Sequence, residues 1–63
     1  MSVNTVVLDD ECIVYNQIDD NNVLSYRTTL LGNYLGQEEM LSPEAACAWL
    51  MYFHKQAYQI ITQ

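Results

Sequence analysis

Apolar and polar residues keep one spacing over the first half of this chain and another over the second. Residues 5–8 are a β-branched run that stops at Asp9-Asp10-Glu11, three polar residues suited to a tight turn. Residues 12–18 alternate, with Ile13 and Tyr15 on one side and Val14 and Asn16 on the other. That is the period of a half-buried strand. Asp19-Asp20-Asn21-Asn22 follows as a second turn, because Asp and Asn tolerate positive φ and bond their own backbone. Residues 23–31 then return to strand-forming side chains. A hairpin centred on Asp20-Asn21 pairs Ile18 with Val23, Tyr15 with Tyr26 and Ile13 with Thr28. In that register Ile13, Tyr15, Leu24, Tyr26 and Leu30 share the core face. The other face, with Val14, Asn16, Val23, Ser25, Arg27 and Thr29, is left for solvent or a partner.

Gly32 and Gly36 mark the break, and beyond them the pattern becomes helical. Ser42 can cap a helix, Pro43 fits its first position, and Glu44 suits its positive end. With no interior Gly or Pro, the predicted helix covers residues 43–62. Ala46, Leu50, Phe53, Ala57 and Ile61 form its central stripe. Trp49 and Ile60 flank that stripe on one side; Cys47, Met51, His54 and Tyr58 flank it on the other. The apolar arc is then roughly 200° wide, against the ~100° that packing on one sheet requires. Glu44, Lys55, Gln56 and Gln59 mark the wet face. The surplus marks an interface, with Trp49, Met51, Phe53, Tyr58 and Ile61 as the face for a second copy or a partner. The expected fold is α+β: a single domain over residues 1–63, with an antiparallel meander of two or three strands and one long C-terminal helix packed on it.

Charge narrows the function. Eight acidic side chains face two basic ones, Arg27 and Lys55, for a net charge of −6. Direct binding to a nucleic-acid backbone needs a basic patch, so it is not expected. At 51% apolar the chain is too hydrophobic for disorder. Its 63 residues allow one thin core, which small domains supplement with disulfides, metals or association. Cys12 and Cys47 are too few for a disulfide framework. The start of the chain lacks a basic, apolar leader, and no apolar run reaches the ~20 residues of a membrane span. A cytoplasmic protein with reduced thiols, and a homodimer through the helix or the sheet, are the resulting expectations.

Candidate chemistry is sparse. The run at residues 19–22 lacks the central Gly and closing Glu of a calcium loop. Cys12, Cys47 and His54 lack the paired spacing of a zinc site, so neither a metal nor a cofactor is expected. Cys47 and His54 are seven residues apart, about 10 Å along a helix, too far for a nucleophile and its base. Tyr34 and Tyr52 are candidate exposed anchors. The meander is expected to gather Asp9, Asp10, Glu11, Glu38, Glu39 and Glu44 at one end, with Asp19 and Asp20 at the other. Ordinary solubility is the competing account of these acids.

The expected function is therefore non-enzymatic: a small acidic inhibitor or adaptor that offers carboxylates and aromatics to a basic site on a larger protein. A nucleic-acid-binding protein is one such partner, with the carboxylates standing in for phosphates. In size, charge and economy of fold the chain resembles small acidic inhibitors encoded by phages and mobile elements; the likeness lies in no motif. The alternative is a structural or regulatory subunit that works through its helix face.

Overall fold

A computed structural model describes residues 2–63. The described residues form five strands, β1 (Val3–Val7), β2 (Glu11–Gln17), β3 (Val23–Thr29), β4 (Tyr34–Leu41) and β5 (Gln59–Thr62), and one helix, α1 (Pro43–Lys55). The strands form a single sheet in the order β4-β3-β2-β1-β5, and every neighbouring pair is antiparallel. The α+β class holds, but the sheet has five strands rather than two or three, and the helix is followed by a strand. The helix connects β4 at one edge to β5 at the other, across one face of the sheet. Val6, Ile13, Tyr15 and Val23 from the sheet meet Ala46 and Phe53 from the helix to form the core. Leu8, Leu41, Leu50 and Ile60 pack around it. The shortest dimension of the molecule is 19 Å, which fits one sheet and one helix layer.

The turn between β2 and β3 fixes which side chains reach that core. The Asn22 carbonyl accepts from the Ile18 N–H at 3.0 Å, so three residues, Asp19 to Asn21, span the gap instead of two. The Asp19 carboxylate holds the loop by accepting from the Asn21 backbone N–H at 2.8 Å and from Asn22 Nδ2 at 2.9 Å. Ile13 therefore lies opposite Arg27, and Tyr15 opposite Ser25. A two-residue turn predicts a register one residue away, and a slip of one flips a strand's faces. Val23 and Ser25 are thus buried under the helix, while Leu24 and Tyr26 turn to the open face of the sheet.

Helix α1 starts where the sequence predicts. Ser42 Oγ accepts from the Ala45 N–H at 3.2 Å, and Pro43 occupies the first turn. The helix ends after 13 residues. Ala57 takes φ 62°, the left-handed conformation that normally calls for glycine. The Ala57 N–H then donates to the His54 carbonyl at 3.2 Å, and the Tyr58 N–H to the Phe53 carbonyl at 3.3 Å. This is the Schellman pattern, and its hydrophobic contact is present, with the Tyr58 and Phe53 rings 5.9 Å apart. Residues 59–62 are β-branched and alternating enough to pair with β1, Ile60 opposite Val6 and Ile61 opposite Thr5. The predicted helix over 43–62, and with it the 200° arc, is corrected: Tyr58 and Ile61 do not lie on a helix at all.

Strand β4 replaces what reads as a connection. Gly36 (φ 93°) and Gln37 (φ 56°) form a bulge where pairing with β3 slips. A bulged, mostly exposed edge strand that sends only its last residue, Leu41, toward the core needs no apolar alternation, so its sequence resembles a loop.

Two substitutions test the helix ends. Ala57→Gly relieves the left-handed strain and should stabilise the fold by about 0.5–1 kcal/mol in urea unfolding. Ser42→Ala removes the cap and should cost about 1 kcal/mol.

Candidate functional site

The topology spreads the acids over the molecule. The β1–β2 turn, with Asp9 and Asp10, lies at the same end of the sheet as the β3–β4 turn. Glu11 begins β2 at that end, but its carboxylate accepts a charge-assisted hydrogen bond from Arg27 Nη1. Strand β4 then runs back for eight residues, about 25 Å, before the helix begins. Glu44 thus joins Asp19 and Asp20 at the opposite end. Glu38 and Glu39 sit between the two ends, on the β4 edge. The six-acid cluster expected from a shorter meander does not form.

The structure instead brings an acid beside aromatics. A cleft of about 150 Å³ opens on the helix side of the sheet, between β3, β4 and α1. Tyr15, Arg27, Gln37, Glu39, Trp49 and Phe53 are among its lining residues. Glu39 stands opposite Ser25 and so points to the helix side. Trp49 is 49% exposed and Tyr52 50%, and their rings meet edge-on at 5.9 Å. Trp49 also stacks on Phe53 at 6.1 Å, which anchors the exposed pair to the core. Glu38, one residue earlier on β4, alternates to the open side of the sheet, as does Tyr34 beside Tyr26 at 5.7 Å.

Two tyrosines report this environment. Burial pushes the Tyr15 hydroxyl above the usual tyrosine value of 10.0; the Arg27 charge opposes that shift and Glu39 adds to it. Loss of solvation, and then the Glu38 carboxylate, raise Tyr34. Asp19 moves the other way, because its bonds from the Asn22 side chain and the Asn21 N–H favour the carboxylate.

The remaining candidates are scattered. Met51 is exposed on α1, Phe53 is core, Tyr58 lies in the helix terminator, and Ile61 is on the open side of β5. Cys12 is buried on the open face of the sheet, while Cys47 and His54 are exposed on the helix across it. Among the described residues, no group of three or more His, Cys, Asp or Glu is placed to hold a metal, and no helix is long and apolar enough to cross a membrane.

Sequence reasoning missed Tyr15, Arg27 and Gln37 as cleft residues. Their place follows from the observed register, which also sets Arg27 within reach of Glu11. Comparison with family models, with curated proteins and with solved structures finds no match.

Tyr15 gives a pH prediction. Its folded-state value is raised, so its contribution to stability is complete below about pH 10 and is lost as pH climbs through the folded value. Glu39→Gln should lower the Tyr15 titration midpoint, and Arg27→Met should raise it, both read by NMR of ring-labelled tyrosine.

Proposed function

We propose that this chain is a non-enzymatic protein-binding module, an inhibitor or adaptor that works in the cytoplasm. It offers the β4 edge and the adjoining aromatic side of α1 to a basic site on a larger protein. The observation that carries this reading is the meeting of Glu39 and Trp49 in one cleft beside an unpaired strand edge. A carboxylate next to an exposed, core-anchored tryptophan combines the two properties that binding sites for basic proteins use. The carboxylate steers encounter through the net charge of −6, and the ring supplies a rigid contact. Glu38 extends the acidic edge to the other side of β4, beside Tyr34. The finer form of the proposal makes the partner a nucleic-acid-binding protein, whose phosphate contacts these carboxylates replace.

Charge reversal tests it. Wild-type chain and the Glu38→Lys/Glu39→Lys double variant are used to capture partners from cells of the source, followed by kinetics with the purified partner. The double variant should lose capture, and added salt should slow wild-type association. Trp49→Ala should weaken binding about 30-fold, as expected for a central aromatic anchor. The nucleic-acid form adds a competition: the partner's nucleic acid should be released as wild-type chain is added. Partner binding indifferent to both the charge reversal and salt would sink the proposal.

A further inference from the structure

Among the described residues nothing covers the face of the sheet opposite the helix, and away from Glu38 on the β4 edge it carries no charged side chain. Val3 and Val7 on β1, Val14 on β2, Tyr26 on β3 and Ile61 on β5 line a shallow groove of about 400 Å³, bounded at one end by Leu31. None of the groove's lining residues is charged. Leu31, at the β3–β4 turn, is 92% exposed, and Ile61 is 44% exposed. Single exposed leucines are ordinary; a contiguous uncharged sheet face of this kind marks an interaction site.

We propose that this face is where two copies of the chain associate, sheet against sheet, as a two-fold dimer. Area is the first argument. Five strands about 4.8 Å apart and averaging some six residues give a face of roughly 500 Å². Two such faces bury roughly 1,000 Å², the lower bound for a specific interface and the size of a weak, concentration-dependent dimer. Charge is the second. The chain carries −6, and its acids occupy the turns, the β4 edge and the helix start. A second copy approaching those sides meets like charge; over the groove it meets none. A basic partner, for the same reason, gains nothing here. Need is the third, since a two-layer fold of 63 residues has a thin core that a second sheet about 10 Å away completes. Of the two dimer faces the sequence pattern leaves open, helix and sheet, this is the sheet.

Sedimentation equilibrium across a concentration series tests the proposal. Wild-type chain should approach twice 7.3 kDa as concentration rises. On dilution, amide shifts should change along β1, β2 and β5. Leu31→Glu and Ile61→Glu place carboxylates in an apolar contact between two chains of like charge, and each should raise the dimer dissociation constant more than about 100-fold. Leu31 is nearly free of intrachain contact, so Leu31→Glu keeps the monomer folded by circular dichroism even if Ile61→Glu does not. Met51→Glu, on the helix, should leave the dimer intact. A monomer at every concentration overturns the proposal, whether or not its groove takes up an apolar dye. So does a dimer that survives Leu31→Glu, or one that Met51→Glu dissolves.

Discussion

The Asp19 turn decides what each side of the sheet is for. By holding Asn21 and Asn22, its carboxylate sets a three-residue loop and so the register of β2 with β3. The pairing of β4 on β3 is hung on that register. It places Val23 and Ser25 under α1, brings Arg27 beside Glu11, and aims Glu39 through Ser25 into the cleft. It also turns Leu24 and Tyr26 outward, where they join Val14 on the bare face. A single residue more or less in this loop would flip the faces of β3 and β4 relative to β2.

The second constraint is the length of the helix. Thirteen residues are about 20 Å, close to the width of four or five strands. A helix crossing from the β4 edge to the β5 edge must stop there for the chain to turn back along β1. Ala57 makes that stop in a conformation that disfavours it, and the Tyr58–Phe53 ring contact offsets part of the strain. The same Phe53 supports Trp49. The helix terminator and the exposed aromatic side therefore share one buried ring.

How much of this was legible in the sequence follows from the strength of local signals. The first three strands and the start of α1 are written in alternation and in Ser42-Pro43-Glu44, where local preference and tertiary fold agree. The class, α+β, follows from those alone. The end of α1 was hidden because an alanine sits where glycine is the usual marker, so helical spacing carried on through residues that form β5. Strand β4 was hidden because an edge strand with a bulge needs neither alternation nor β-branching. The acidic residues were visible individually. Their grouping was not, because it depends on β4 running back along β3 instead of looping. Tyr15 and Arg27 entered the cleft through a register that no local pattern encodes.

Strand β5 closes the sheet against the strand that began it. Val3 and Gln63 exchange two backbone hydrogen bonds, 3.1 and 2.8 Å, and Thr62 reaches Asn4 across 58 positions of sequence. The hairpins of β1 to β4 are local and can assemble without waiting for the rest of the chain. The β1–β5 seam cannot, because its partners, such as Thr62 and Asn4, are 58 positions apart, and contacts of such separation are slow to form. Until it closes, the Ile60 side chain is missing from the core and β1 is an open edge. Strand β5 thus acts as a latch, and the integrity of the fold is tied to a seam between two segments far apart in sequence.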